Sequence, residues 1–305
     1  CLFTLTIIYA GVRNGIERVS KFMMPILIVL SVLIAVYSVT RPGAMEGVKY
    51  FLVPNVKNFS WMTVVAAMGQ MFYSLSIAMG ILITFGSYMK KETSLEDSTR
   101  NVEVFDTAIA IMAGLMIIPA VFAFSGGDPD TLQAGPALMF ITIPKVFENM
   151  GFGTVVGILF FLLVLFAAVT SSIALTESAV STFEDELGWS RRRATVLVGV
   201  IMIALGSLSS LGYGPLAGIK IIGMQFLDFF DFLTNSVMMP IAAMLTSLFV
   251  SRIVGMKRME EEIMHGESTF RRKKIFIVMI KYLCPVFALI ILISSVANAF
   301  GWIAM

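Results

Sequence analysis

The residues best suited to binding lie inside apolar stretches of the chain. The clearest group runs from Gly69 to Gly80, GQMFYSLSIAMG, and mixes small and hydroxyl residues in the middle of the apolar stretch Trp61 to Met89. That stretch is longer than the roughly 20 residues that one straight span requires. A break there would free backbone carbonyls and amides, which a membrane tolerates only where they line a cavity or meet a ligand. The carbonyls suit a hard cation and the amides a carboxylate. The alternative is a continuous helix whose serines bond back to the preceding turn.

A second oxygen-rich group lies in the later apolar stretch Phe152 to Phe183. At helical spacing Ala167, Thr170 and Ser171 share one face, so a backbone carbonyl and two hydroxyls can converge on a small site. Oxygen ligands of this kind suit a hard cation such as sodium. The alternative is that small and hydroxyl residues let two helices pack closely.

Two carboxylates also fall beside or within apolar stretches. Asp106 precedes the apolar run Thr107 to Phe124. At membrane depth a carboxylate costs at least about 2.5 kcal/mol, so Asp106 would face a partner or a cation there. As a helix N-terminal residue at the interface, it would instead be stabilised by the helix dipole. Glu177 lies one or two turns beyond Ser171 and is predicted either to pair with a neighbouring helix or to support the ion site.

Long helices must position these residues, because 58% of the 305 residues are hydrophobic and only 14% are charged. The apolar stretches are too long for the roughly 10-residue alternating strands of a membrane barrel. We therefore predict an all-α polytopic membrane protein, in which a partial helix at Leu2 to Val12 precedes the spans. The predicted spans are Phe22 to Val39, Trp61 to Met89, Asp106 to Ser125, Phe152 to Phe183, Ala194 to Leu211, Met224 to Val250 and Ile275 to Trp302.

Basic residues set the expected orientation. They are concentrated in alternate connections, for example at Lys90 and Lys91 and at Arg191 to Arg193, and the positive-inside rule makes these connections cytoplasmic. We therefore expect a multi-pass protein of the inner (plasma) membrane, surrounded by the lipid bilayer and without a nucleic-acid partner. The sequence contains no nucleotide-binding GxxxxGK loop, no HExxH and no CxxC, so nothing in it predicts an enzyme.

The chain carries several motifs in a recognisable order: GIER at 15–18, Met24-Pro25, GQMFYSLS at 69–76, Ser87-Tyr88, TSSIA at 170–174 and EDEL at 184–187. In order and spacing they resemble the neurotransmitter:sodium symporter family, in particular its bacterial sodium-dependent amino-acid transporters. The resemblance implies a LeuT-type inverted-repeat fold that is incomplete, running from the end of helix 4 through helix 11. Residues 1–305 would form a single transmembrane transporter domain that lacks the N-terminal helices 1–3 and part of helix 4. Residues 61–252 would be its second inverted repeat (helices 6–10), and residues 275–302 would be helix 11.

The resemblance also implies roles for individual residues. The positions that match substrate contacts are Tyr73, Ser74, Ser76, Met79, Ser171 and Leu175. Ligands of the first sodium site are matched by Ser74 and Asp106, and ligands of the second by Ala167, Thr170 and Ser171. The intracellular gate is matched by Tyr88 and Asp185, and the acidic residue of the extracellular gate by Asp231.

The function implied by the resemblance is sodium-coupled symport of an amino acid by alternating access. Sodium ions would be co-transported, no organic cofactor is expected, and the mostly apolar pocket residues favour a hydrophobic or aromatic amino acid. Asp106 stands where many relatives have asparagine, and Ala110 stands where chloride-dependent members have a serine ligand, so we expect chloride-independent transport. The alternative function is a non-transporting amino-acid-sensing receptor or scaffold of the same fold. The sequence predicts no particular oligomeric state.

Overall fold

The chain folds almost entirely into helices. The computed structural model describes residues 1–126, 135–148, 151–266 and 269–302, and within these ranges the only β-type pairing is an isolated bridge between Ile221 and Met224. Two of the long helices, α10 and α12 below, contain π-helical turns. The helices are α1 (Leu2–Tyr9), α2 (Glu17–Val39), α3 (Ala44–Leu52), α4 (Trp61–Ser74), α5 (Ile81–Ser87), α6 (Leu95–Ser125), α7 (Ile143–Glu148), α8 (Gly153–Leu187), α9 (Arg191–Leu211), α10 (Phe226–Val254), α11 (Met256–Ile263) and α12 (Lys273–Ala299).

Six of these helices, α2, α6, α8, α9, α10 and α12, are long and apolar enough to span a membrane. Their surfaces agree with that assignment. On α2, for example, Leu27, Leu30 and Ile34 are buried, whereas Val32 and Val36 are 44% and 59% exposed. An exposed apolar helix face is unusual in a soluble protein, but it matches lipid tails, which are as apolar as leucine. The prediction of an all-α, multi-pass membrane protein is confirmed.

The observed helices differ from the predicted spans at two important places. The stretch Trp61 to Met89 is divided into α4 and α5, with residues 75–80 between them. The span that was expected from Asp106 begins earlier, because α6 starts at Leu95 and its first turns carry charged residues. A hydropathy pattern shows only the part of a helix that lies in lipid. Because Glu, Lys and Arg are good helix formers in water, a helix can extend beyond its apolar part.

The described chain divides into two compact units. The first unit comprises Cys1–Leu5, Ser60–Glu103 and Ala174–Met305, and the second comprises Thr6–Phe59 and Val104–Ile173. The division therefore falls inside α1, α6 and α8.

The core of the second unit is formed by α2, α6, α7 and α8. On α2 the buried side chains recur with the spacing of one helical face. α3 also lies very close to α6, because a Cβ atom added at Gly47 would lie 2.8 Å from the Cα of Pro119. Only glycine fits that contact without a shift of the backbone. The core residues include Leu27, Leu30, Ile34, Met116, Ala120, Val121, Ile143, Val146, Phe147, Val156, Phe160 and Leu163.

A smaller core in the first unit joins α4 to α10 and α12. Phe72 of α4 packs with Ala243 of α10 and with Ala288 and Ile291 of α12. The alanines allow close helix packing, as small residues do in membrane proteins. Ala78, beyond the end of α4, packs against the same cluster. The core therefore holds both the end of α4 and the non-helical segment that follows it.

Candidate substrate and ion site

The candidate site is centred on the interruption between α4 and α5. Residues 75–80 are not helical, and Ser76 (φ 55°), Ala78 (φ 64°) and Gly80 (φ 78°) adopt left-handed backbone conformations. For a residue other than glycine such a conformation costs roughly 1–2 kcal/mol, so the surrounding structure must hold it. The predicted broken helix is confirmed, and the alternative of a continuous helix is wrong.

Backbone N–H groups just after α4 donate to carbonyls of that helix, whereas the first amides of α5 have no such acceptor. The N–H of Leu75 donates to the carbonyl of Met71, and the N–H of Ile77 donates to that of Phe72, each at 3.0 Å. The first amides of any helix have no acceptor within the helix. Gly80, at the N-cap position of α5, has no side chain that could accept from them. The interruption therefore presents backbone donors inside an apolar stretch.

Buried hydroxyls on α8 hold the start of α5. The Ser178 hydroxyl donates to the carbonyl of Met79 at 3.5 Å, and Thr84 of α5 donates to Ser178 at 3.4 Å. Thr84 also lies 3.3 Å from the hydroxyl of Ser181. A Cβ atom at Gly80 would lie 2.7 Å from the Ser178 oxygen, and the φ of Gly80 is positive, so glycine is favoured there on two grounds. This hydroxyl cluster, Thr84, Ser178 and Ser181, fixes one edge of the interruption.

A cavity of about 310 Å³ in the first unit lies beside the other edge, at the end of α4. Tyr73 of α4 and Asp231 of α10 both line it, together with Gln70 and Ser295. Asp231 Oδ1 accepts a hydrogen bond from Asn235 Nδ2 at 2.5 Å. The volume of the cavity is in the range of small-ligand pockets. The structure therefore brings together a predicted substrate residue and the predicted outer-gate acid.

The remaining predicted substrate residues lie on two elements. Ser74 is the last residue of α4, Ser76 and Met79 lie in the interruption, and all three are half-buried. Ser171 and Leu175 lie one turn apart on α8 and are exposed. Ser171 belongs to the second unit and Leu175 to the first.

The oxygen-rich face of α8 has the predicted local geometry. The Thr170 hydroxyl lies 3.0 Å from the carbonyl oxygens of both Ala167 and Phe166, to which it donates. Two oxygens at that separation can both reach a cation at the about 2.3–2.6 Å typical of Ca²⁺, an ion of nearly the same radius as Na⁺. The same contacts also occur in helices as ordinary back-bonding of threonine, so the ion-binding role stays a prediction.

Asp106 lies about three turns into α6 and is half-buried. The alternative in which it is the N-terminal residue of its helix is wrong, because the helix begins at Leu95. Asp106 follows Glu103, whose side chain is 44% exposed, by about one turn, and at membrane depth its carboxylate would need a partner or a cation. Asp106 and Ser74 belong to different units, and the expectation that they share a sodium site stays a prediction.

Glu177 forms the most deeply buried ionic contact among the described residues. Its side chain is fully buried on α8 and pairs with Arg191, the first residue of α9, through both carboxylate oxygens. The Tyr88 hydroxyl donates to Glu177 Oε1 at 2.8 Å, and Arg191 also lies 3.2 Å from Glu184. Of the two interpretations that the sequence left open for Glu177, pairing with a neighbouring helix is the one observed.

One of the two predicted inner-gate residues takes part in this network. Tyr88 is engaged with Glu177, whereas Asp185 is exposed in the last turn of α8. The sequence analysis did not assign Arg191 a role, because it is the first of three consecutive arginines that look equivalent in sequence. The available signal was Glu177 itself, because a carboxylate within an apolar helix requires a cation.

Comparison with known proteins identifies the family. A family model described as the Sodium:neurotransmitter symporter family matches residues 1–301. The chain belongs to this family. Its members are transporters, so the expectation that the protein is not an enzyme is confirmed.

Several relatives in the symporter family can be aligned with the chain. An uncharacterized sodium-dependent transporter of Bacillus subtilis, YhdH, is 35% identical over 265 residues, which are 87% of this chain and 58% of the relative. An uncharacterized sodium-dependent transporter of Haemophilus influenzae is 33% identical over 290 residues, which are 95% of this chain and 62% of the relative. The chain thus spans about three fifths of the length of these curated relatives.

A solved structure shows the same fold. The crystal structure of MhsT in complex with L-phenylalanine superposes with a TM-score of 0.82 and 36% sequence identity, and the match covers 96% of this chain and 66% of MhsT. The expected LeuT-type symporter fold is confirmed over that part of its length.

The Glu177–Arg191 pair gives a direct test of the buried network. We expect Arg191→Met to lower the free energy of unfolding by about 3 kcal/mol, because it leaves a fully buried carboxylate without its cation. Denaturant unfolding of the whole protein in detergent measures the effect.

Arg192→Met is the matched control, because it removes the same charge from an exposed neighbour and should change stability by less than about 0.5 kcal/mol. The double variant Glu177→Gln/Arg191→Met, which removes both charges, should regain most of the loss. Equal stability of Arg191→Met and Arg192→Met would contradict the pairing.

Proposed function

We propose that the whole protein is a sodium-coupled amino-acid symporter of the plasma membrane that works by alternating access. The observation that carries this proposal is the interruption between Ser74 and Ile81 inside an otherwise apolar stretch. Free backbone groups at such a depth are stable where they meet an ion or a polar ligand. Interrupted helices of this kind bind substrate and coupling ions in secondary transporters, and members of this same symporter family are among the known cases.

The substrate is proposed to be a hydrophobic or aromatic amino acid. Ser74, Ser76 and the backbone of the interruption would hold its polar end, while Tyr73 and Met79 would shape the side-chain pocket. On α8, Ser171 and Leu175 would complete the polar and apolar parts respectively. The phenylalanine bound in the MhsT structure supports this class of substrate.

Sodium is proposed to bind at oxygens of both groups. On α8 the ligands would be the Ala167 carbonyl and the hydroxyls of Thr170 and Ser171, supported by the 3.0 Å separation between the first two oxygens. Ser74 and Asp106 would be ligands as well, supported by the half-buried position of Asp106 where the apolar part of α6 begins. No organic cofactor is needed, because the cycle changes binding and conformation but no covalent bond.

The coupling would arise from a difference in sodium affinity between outward-facing and inward-facing states. Asp231, beside the cavity at the end of α4, would act at the outer gate, and Tyr88 and Asp185 at the inner gate. Residues 61–252 would act as the second inverted repeat, and residues 275–302 as helix 11. The buried pair of Glu177 and Arg191 would anchor the inner-gate tyrosine to α8 and α9.

The transport is proposed to be independent of chloride. Asp106 supplies a fixed negative charge where many relatives have asparagine, and Ala110 offers no hydroxyl for an anion. A fixed carboxylate can balance the charge of sodium, so a bound chloride would be unnecessary.

Uptake into proteoliposomes that contain the whole protein tests the symport proposal. An inward sodium gradient should drive accumulation of labelled amino acids above the outside concentration, and Asp106→Ala or Thr170→Ala should reduce the sodium affinity of uptake by about tenfold or more. The reason is that removing an oxygen that contacts a charge costs about 1.5–3 kcal/mol.

Thr182→Ala is the matched control for Thr170→Ala. It removes the same hydroxyl and the same kind of backbone bond from the same helix, since Thr182 donates to the carbonyl of Ser178 at 2.8 Å. Its sodium dependence should stay that of the natural protein. Amino-acid binding without accumulation, in an active and correctly oriented preparation, would favour the sensing receptor instead.

Replacement of chloride tests the proposed anion independence. We expect the initial rate of sodium-driven uptake to change less than about twofold when all chloride is replaced by gluconate at the same sodium gradient, because Asp106 provides the negative charge that chloride would otherwise supply. A collapse of uptake in gluconate would contradict the proposal, provided that liposome integrity is unchanged.

A further inference from the structure

We propose that an anionic phospholipid binds to the first unit, with its acyl chain in an apolar groove between the start of α6 and the start of α12 and its headgroup on Arg100 and Arg271. The feature is separate from the candidate substrate and ion site, and the inference does not depend on the proposed transport function.

The acyl part would lie in a groove of about 270 Å³. We call it the α6–α12 groove. One wall is the first turns of α6, and the other is the segment that leads into α12. Its apolar lining residues are Leu95, Ile263, Phe270, Ile275, Phe276 and Met279.

A second cavity, of about 190 Å³, adjoins the groove and is polar. Glu96 and Arg272 line both cavities, and Asp97, Arg100 and Arg271 line the polar one. A polar cavity that continues into an apolar groove matches the two parts of a phospholipid, a charged headgroup and an acyl chain.

Two of the three acidic residues around the polar cavity have close hydrogen-bond partners, and the third, Asp97, has only a long contact. Glu103 accepts two hydrogen bonds from the Arg272 guanidinium, at 2.8 and 3.0 Å. Glu96 accepts from the backbone N–H of Arg271 at 3.1 Å. Asp97 lies 3.9 Å from Arg100, too far for a hydrogen bond and with both side chains exposed.

The guanidinium of Arg271 has no carboxylate partner among the residues that the structure describes. Arg271 and the weakly paired Arg100 therefore present donors to the polar cavity. Guanidinium groups bind phosphate with paired hydrogen bonds, which makes an anionic headgroup the complementary occupant.

The position along the helices favours a lipid over a soluble partner. α12 is a spanning helix that begins at Lys273, so Met279 lies about 9 Å along it, near the boundary between headgroups and acyl chains. Ile275, which lines the groove, and Tyr282, further along α12, are each 65% exposed, as expected of a surface in contact with lipid. Basic pockets between spanning helices are known to hold acidic lipid headgroups.

Native mass spectrometry of the whole protein in detergent tests the proposal. The protein is titrated with phosphatidylglycerol and, separately, with phosphatidylcholine that has the same acyl chains. We expect tighter binding of phosphatidylglycerol. Arg100→Gln/Arg271→Gln should weaken it about 30-fold, since each basic group near an anionic lipid contributes about a factor of five.

Arg192→Gln/Arg193→Gln is the matched control, because it removes two exposed charges at the start of another spanning helix, α9. It should bind phosphatidylglycerol as the natural protein does. Met279→Trp, which fills the groove and keeps every charge, should weaken the binding of both lipids. Unchanged gel-filtration elution shows that each variant is folded.

Three outcomes would overturn the proposal. The first is equal binding of the two lipids, and the second is equal loss of phosphatidylglycerol in the two double variants. The third is displacement of the lipid by inorganic phosphate or by an acidic peptide as readily as by added phosphatidylglycerol, which would assign the polar cavity to a free anion or to a protein partner instead.

Discussion

A membrane span cannot leave backbone amides and carbonyls unpaired in hydrocarbon, because each such group costs several kcal/mol. The interruption at residues 75–80 sets this constraint for the first unit. Left-handed backbone at Ser76 and Ala78 adds strain to it. The segment is stable only if neighbouring elements hold its edges and if its remaining polar groups have water or a ligand. The candidate site follows from that requirement rather than from any single reactive side chain.

The neighbouring elements provide different kinds of support. On one edge, Phe72 and Ala78 pack into the apolar core with α10 and α12. On the other edge, the hydroxyl cluster of Thr84, Ser178 and Ser181 holds α5 against α8 with weak, neutral hydrogen bonds. Further along, Tyr88 bonds to the buried Glu177, which Arg191 neutralises. The contacts of α5 are therefore weak and neutral beside the interruption and ionic beyond it.

The sequence was sufficient to predict the helices and the membrane environment, because hydropathy is a local signal. Small residues and hydroxyls at 69–80 left a broken and a continuous helix both open, and the resemblance to the symporter family favoured the break. It placed the start of α6 wrongly. The helix begins with charged turns and continues with apolar ones, and hydropathy marks only the apolar part, not the start at Leu95. It could not choose Arg191 from three consecutive arginines, because only the packing of α9 against α8 distinguishes them. Site roles that require both units, such as a sodium site shared by Ser74 and Asp106, stay predictions for the same reason: they depend on long-range packing, which spacing does not encode.

The measurement that tests the central claim most directly is hydrogen–deuterium exchange of the whole protein, with and without sodium and an amino acid such as phenylalanine. If the interruption is the binding site, amides at residues 75–84 should exchange more slowly when both ligands are present, and amides in the middle of α9 should not change. Slower exchange elsewhere with none at residues 75–84 would contradict the account, because the ligand would then bind without meeting the interrupted helix.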